Sequence, residues 1–305
     1  MKIAIIGRTE ILYETARQLH EAGHEIVCIL TAKEAPEYTR NAEDFRHLAE
    51  QWNIPYACSA KISEHQDFLA ASKADIGVSI NYSGVIPDTI TNLFGLGILN
   101  AHGGDLPRYR GNACQAWAIL NGEEKIGLCI HRMIGGELDS GDIIARAYLP
   151  IDINSTIEQA MDWISSTTPG LFNDALKQLQ HDPEFVLERQ SKDPSLALRC
   201  YPRRPEDGRI DWSNSAVKIL RLINASGRPY PGAFCFLEDK RITVWQARLG
   251  DDERFLAVPG QVTAITPEYL EIATGDGKVR LTEMDLDNTP AAAPAVCKSI
   301  RTRLK

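Results

Sequence analysis

Two apolar rhythms alternate along this chain. "KIAIIG", "EIVCIL", "ADIGVSIN" and "LGILNAH" are short, nearly continuous apolar runs, as strands buried on both faces are. Between them, apolar residues return every three or four positions. In "TEILYETARQLHEAG", Leu12, Ala16 and Leu19 share one helical face, Thr9 is placed to cap the start and Gly23 to close the end. "AEDFRHLAEQW" and "EHQDFLAAS" read as further helices around the short strand "IPYAC", and one helical turn is expected near "PDTITNL". This alternation predicts an α/β fold: a mainly parallel, Rossmann-like sheet with right-handed crossovers and flanking helices.

The rhythm changes after a helix in "RGNACQAWAILNG". "IGLCIHRM" and "DIIARAYLPI" are strand-like and flank the Gly-rich loop "IGGELDSG", which predicts paired strands. A long helix begins in "NSTIEQAMDWISS", with Ser155 and Glu158 spaced as a capping box and Pro169 expected to bend or interrupt it. "QSKDPSLALRCYPRRPEDG" lacks periodicity and is rich in proline and charge. Beyond it lie the amphipathic helix "SAVKILRLINASG" and five strand candidates: "GAFCFL", "RITVWQARL", "GQVTAIT", "YLEIAT" and "VRLTEMDL". One helix with five short strands predicts a small closed, OB-like barrel. The expected organisation is an α/β domain over residues 1–190, a linker over 191–204 and a barrel over 205–305.

Composition narrows the function classes. With 305 residues, 44% hydrophobic and 24% charged, the chain has the make-up of an ordinary two-domain globular protein. Residues 1–200 carry 17 Lys and Arg against 27 Asp and Glu, and residues 201–305 carry 16 against 14. The net charge of −8 argues against a general nucleic-acid footprint, which needs clustered cations. Seven cysteines form no C-x-x-C pair and several sit in apolar runs, so reduced, packed thiols are expected, with no disulfide frame and no metal site. Met1 leads directly into a strand, and no apolar run approaches the ~20 residues of a membrane helix; a cytoplasmic location is expected. "IAIIGRTEIL" has only Gly7 where a dinucleotide fold needs three glycines, which argues against an oxidoreductase of that kind.

The candidate chemistry lies in "NAHGGDLPRYRGN". Ligands of open α/β sheets sit outside the carboxyl ends of the strands, and "LGILNAH" ends at such an edge. Asn100 and His102 are two residues apart, so their side chains leave the same face. Asp139, in the second Gly-rich loop, would be brought to that edge by a neighbouring strand. An amide N–H can stabilise an oxyanion, an imidazole titrates near neutrality, and a carboxylate can orient it. The set fits acyl transfer without a covalent enzyme intermediate. The same residues also suit plain roles as strand-end and turn formers.

"LNAHGGDLPRYRGN…AWAILNGEEKIGLCIHRM…LDSGDII" resembles the formyltransferase family that uses 10-formyltetrahydrofolate, and "YPRRPEDGRIDW…PYPGAFCFL…RITVW" resembles that family's C-terminal barrel. The resemblance spans nearly the whole chain. It implies that Asn100, His102 and Asp139 take the three catalytic places. It implies a pteridine cleft lined by Gly84, Val85 and Ile86 and by Gly136, Glu137 and Leu138. One departure stands out: where the family has Ser-Leu-Leu-Pro, this chain has Gly104, Asp105, Leu106 and Pro107. Within the family, "RYRGN" and "YPRR" look closer to the enzymes that formylate amino sugars than to those that formylate methionyl-tRNA. An amino-sugar acceptor, nucleotide-linked, is therefore the expected partner, with Arg108, Tyr109, Arg110 and Asn112 as candidates for reading it or for bracing the loop. Methionyl-tRNA is the alternative, and water, making a 10-formyltetrahydrofolate hydrolase, is a third. The sequence leaves homo-oligomerisation open.

Overall fold

The computed structural model describes residues 1–36, 38–251 and 254–305. Its elements run β1 (Lys2–Gly7), α1 (Glu10–Glu21), β2 (Glu25–Thr31), α2 (Ala42–Trp52), β3 (Tyr56–Cys58), α3 (Gln66–Ala71), β4 (Ile76–Ile80), α4 (Asp88–Thr91), β5 (Ile98–His102), β6 (Tyr109–Gly111), α5 (Cys114–Asn121), β7 (Lys125–Arg132), β8 (Ile143–Pro150) and α6 (Ile157–His181). They continue with β9 (Leu198–Cys200), α7 (Ala216–Ser226), β10 (Ala233–Leu237), β11 (Lys240–Leu249), β12 (Val262–Ile265), β13 (Leu270–Ala273), β14 (Lys278–Leu286), β15 (Thr289–Pro290) and α8 (Ala293–Val296).

Strand alternation explains the large sheet, ordered β3-β2-β1-β4-β5-β7-β8. Ile3 and Ile5 of β1 pack with Leu12, Ala16 and Leu19 of α1, Phe45 of α2 and Phe172 and Leu176 of α6. Ala4 and Ile6 face the other way, onto Leu69 of α3, Ile90 of α4 and Phe94. Both faces are covered, so the strand residues are apolar throughout, as the sequence pattern requires. The pairings among β1 to β5 are parallel, whereas β7 runs antiparallel to β5. Thr9 caps α1 by accepting the Leu12 N–H.

Three local expectations change. The capping box of α6 sits one residue later: Thr156 and Gln159 exchange side-chain and backbone bonds, while the Ser155 hydroxyl donates to Asp152. Pro169 does not interrupt α6. The turn after it places Phe172, Ala175, Leu176 and Leu179 in the core at 0% exposure, and that burial outweighs the backbone bond the proline forfeits. The segment expected as linker contains β9, which pairs in parallel with β6.

The chain forms two compact units, each discontinuous. The first comprises Met1–Gly111, Gly127–Tyr148 and Asp162–Cys200, and the second Asn112–Ile126, Leu149–Met161 and Tyr201–Lys305. The contiguous division expected from the sequence therefore differs from these units. In the second unit, α5 and the 149–161 segment join the barrel: Arg221 of α7 lies against Gly122 at the end of α5, and Asn224 donates to the Ile153 carbonyl.

The second unit's sheet runs β10-β11-β14-β13-β12. The C-terminal residues close it. Lys305 exchanges both backbone bonds with Phe236 of β10, while Leu304 donates to Gly260 and Thr302 accepts from Val262 beside β12. Trp212 is 4% exposed and packs with Ile219, Ile242 and Leu281. All seven cysteines are free and six are buried. No described helix is long and apolar enough to cross a membrane.

Candidate active site

The first unit gathers Asn100, His102 and Asp139 at the end of β5. Asn100 and His102 leave the same face of the strand, as their spacing requires. The antiparallel register then adds a residue the sequence reading did not single out. His131 of β7 stands directly opposite Asn100, and such cross-strand neighbours share a face. Asn100 Nδ2 lies 3.2 Å from His131 Nε2. Asp139 reaches both rings, with Oδ2 3.4 Å from His102 Nδ1 and Oδ1 3.5 Å from His131 Nε2.

Asp139 is held from several sides. The Gly111 N–H donates to Oδ2 at 3.0 Å. Its backbone has φ 47°, a left-handed conformation that is uncommon outside glycine and costs strain. Gln190 offsets that cost: its Nε2 donates to the Asp139 carbonyl at 3.0 Å and to the Gly141 carbonyl at 2.6 Å. Gly141 is required there, because a Cβ would sit 1.8 Å from the Arg132 carbonyl oxygen. Gln190 also accepts from Arg110 Nη2 at 3.0 Å. His102 Nε2 lies 2.7 Å from the Tyr109 carbonyl, an acceptor, so that nitrogen carries a hydrogen and Nδ1 faces the carboxylate.

Burial lowers the pKa of His102 below the usual imidazole value, against the pull of Asp139. For Asp139 burial acts the other way and favours protonation, but it is overcome by His102, with further contributions from His131 and the Gly111 N–H, and the carboxyl ends below its ordinary range. At neutral pH the site holds a carboxylate beside an uncharged imidazole.

The expected cleft loops come together as well. The Gly136 N–H donates to the Ile86 carbonyl and the Gly135 N–H to Asp88 Oδ1. Val85 is 74% exposed and Leu138 45%, forming apolar surface on either loop, whereas Ile86 is buried and its carbonyl is taken up by the Gly136 N–H. Gly84 and Glu137 are exposed, and Glu137 accepts from the Ser140 hydroxyl.

Two sequence profiles match this chain: that of the formyl transferases over residues 1–176 and that of the formyl transferase C-terminal domain over residues 203–300. The chain belongs to the formyl transferase family. It is 30% identical over 295 residues to the methionyl-tRNA formyltransferase of Citrifermentans bemidjiense, covering 94% of this chain and 89% of that protein. An N-formyltransferase of Helicobacter canadensis, solved with folinic acid and dTDP-3-aminofucose, shares the fold at a TM-score of 0.66 and 18% identity, over 92% of this chain and 99% of that one. HypX of Aquifex aeolicus, solved with tetrahydrofolic acid, gives a TM-score of 0.61 and 19% identity over 98% of this chain, which spans about half of its length (47%).

The four acceptor candidates of this formyltransferase divide. Arg108 is exposed and stacks over the Tyr109 ring at 5.2 Å. The Tyr109 ring is only 3% exposed, so its contribution to the site is the carbonyl that holds His102. Arg110 is braced on Gln190, and its Nε is buried without a hydrogen-bond partner. Asn112 is exposed and belongs to the second unit.

Asp105, the departure from the family pattern, has a structural explanation. Its Oδ1 accepts from Arg146 Nη1 at 2.5 Å and from the Tyr148 hydroxyl at 3.0 Å. Arg146 also donates to the Leu106 carbonyl and to Glu188. Gly127 of β7 lies against Asp105, where a Cβ would come within 2.7 Å of its Cα. Asp105 thus clamps the loop that follows His102 onto β8. His131, Gln190 and Arg146 are the residues that sequence reasoning missed. A histidine inside the apolar run "GLCIHRM" was the one available signal for His131.

Proposed function

We propose that this formyltransferase moves a formyl group from 10-formyltetrahydrofolate to the primary amine of a nucleotide-linked amino sugar. The observation that carries the reading is the convergence of a carboxamide, an imidazole and an ionised carboxylate, Asn100, His102 and Asp139, at one sheet edge. Burial pushes the nearby Cys129 thiol on β7 up to about 11, which leaves it a poor nucleophile at neutral pH. The acceptor amine is then the attacking group. Its bond to the formyl carbon forms first and gives a tetrahedral intermediate, and the bond from that carbon to N10 of the folate breaks as the intermediate collapses. An Asn100 N–H steadies the tetrahedral oxyanion. The proton lost by the amine ends on N10, and neutral His102 with ionised Asp139 is the pair suited to hold it in transit.

Exposed Val85 and Leu138 suit the flat pteridine ring, whose amide-like edge can be read by backbone groups of the same loops. The Helicobacter and Aquifex neighbours were solved with folates, in keeping with that donor. The acidity of residues 1–200 favours a small acceptor over a polyanion. So does the engagement of four of the barrel's cations: Arg280 pairs with Asp251 and Glu271, Lys278 with Glu271, Arg228 with Glu283, and Arg241 stacks over Phe234. A second reading, methionyl-tRNA as acceptor, is favoured by the 30% identity to the Citrifermentans enzyme.

The test is tetrahydrofolate release from 10-formyltetrahydrofolate alone, with a panel of dTDP- and UDP-linked amino sugars, and with methionyl-tRNA. Acceptor-dependent release with an amino sugar is expected. Faster turnover of methionyl-tRNA than of every sugar would replace the acceptor, and release without any acceptor would indicate hydrolysis.

A further inference from the structure

We propose that His131 is a positioning residue for formyl transfer, fixing which end of the Asn100 carboxamide meets the formyl oxygen. The inference rests on Asn100 being the oxyanion donor. His131 is 2% exposed and sits opposite Asn100 in the β5–β7 register. Its Nδ1 lies 3.1 Å from the Arg132 carbonyl, which can only accept, so Nδ1 carries the hydrogen. With that tautomer Nε2 is an acceptor. The group that suits it is the amide nitrogen of Asn100, found 3.2 Å away.

The consequence is a locked amide. Rotating the Asn100 carboxamide by half a turn would set its oxygen against the Nε2 lone pair. One N–H is spent on His131, and the second stays on the nitrogen side of the group, available to a substrate oxygen. A reversed amide would offer an acceptor to a developing oxyanion, an interaction of the wrong sign. His102 cannot supply this constraint, because its Nε2 is engaged by the Tyr109 carbonyl.

The experiment compares His131→Leu, His131→Gln, Asn100→Ala and the double variant Asn100→Ala/His131→Leu. Turnover uses 10-formyltetrahydrofolate with the amino-sugar nucleotide that the acceptor panel selects, or methionyl-tRNA if that prevails, and binding uses folinic acid. His131→Leu is expected to lower kcat about 30- to 100-fold, with both KM values and the folinic acid Kd within about twofold. Gln at 131 can accept from Asn100 through Oε1 and should recover at least about tenfold of the loss. In the Asn100→Ala background, His131→Leu should cost less than about threefold, because the residue it acts through is gone. Near-wild-type kcat in His131→Leu, no recovery in His131→Gln, or additive losses in the double variant would each overturn the proposal while Asn100→Ala itself remains slow. If Asn100→Ala itself turns over normally, the reading of the site fails and the proposal with it. Should His131→Leu not fold, ¹⁵N spectra of the wild-type ring decide: the Nδ1–H tautomer is expected, and an Nε2–H tautomer overturns it.

Discussion

Two carboxylates flank the loop after β5, and the chain treats them oppositely. Asp105 meets a guanidinium and a phenol, with Arg146 Nη1 at 2.5 Å and the Tyr148 hydroxyl at 3.0 Å, on a backbone tied by ordinary turns. Asp139 meets two imidazoles at 3.4 and 3.5 Å and sits on a left-handed backbone. A guanidinium stays charged at any working pH and its bonds are short, so the Asp105 cluster can only brace. Imidazoles gain and lose protons, and the longer separations leave the Asp139 cluster able to change state. The loop after β5 thus carries a clamp and the loop between β7 and β8 carries the carboxylate of the proposed reactive centre, and the chemistry of the partner decides which carboxylate is which. The strain at Asp139 is tolerated because Gln190 fixes its carbonyl, an arrangement a purely structural turn would not need.

The largest effect should separate the two acids by readout. Asp139→Asn keeps the shape and removes the charge; it should depress turnover by about 10²- to 10³-fold while the melting temperature holds, measured by steady-state kinetics and thermal unfolding. A comparable loss in Asp105→Asn, with no loss of stability, would erase the distinction. Next comes the clamp itself. Arg146→Met strips the bonds to Asp105, Leu106 and Glu188 and should cost about 2 kcal/mol in urea unfolding, since Asp105 and Glu188 can still reach water. Its activity at low temperature should remain measurable.

A smaller effect is pH-dependent. His102 has its folded pKa depressed by burial, so the unfolded chain binds the proton more readily. Stability should therefore fall as pH drops below the unfolded value of about 6.5, by up to about 1.4 kcal/mol between pH 7.5 and 5.5. His102→Gln should abolish that component. Asp139, also depressed, contributes stability above about 3.9 that is lost only in stronger acid. The Arg146 clamp should show no such slope between pH 5.5 and 7.5. Smallest of all, Val85→Asp should raise the KM for 10-formyltetrahydrofolate about tenfold and leave the melting temperature unchanged, because Val85 is exposed in the free protein.

The elements that position the site were legible from the sequence, and their partners were not. Apolar runs gave β1 to β5, and period-2 alternation put Asn100 and His102 on one face. The Gly-rich loop pointed to Asp139. His131 was hidden because its place opposite Asn100 depends on an antiparallel register between strands roughly thirty residues apart, which hydrophobic pattern does not encode. Gln190 lies in a segment without periodicity, so nothing local marks it as the brace of Asp139. Asp105 stood out only as a departure from the family pattern, because its partner, Arg146, is on β8 and reaches it only in the folded sheet. Tyr109 was a candidate for reading the acceptor because a phenol is conspicuous; in the fold Tyr109 is buried and its carbonyl meets His102 Nε2. The units differ from contiguous domains for the same reason: the contacts of α5 with α7 join segments remote in sequence.

Asn100→Ala in a single-turnover assay tests the central claim most directly. Enzyme in excess over labelled 10-formyltetrahydrofolate is mixed with the selected amine acceptor, and transfer of the label is followed in time. The expected result is transfer slowed by about 10²- to 10³-fold, with folinic acid binding intact. Transfer at the wild-type rate would contradict a site built on Asn100, His102 and Asp139.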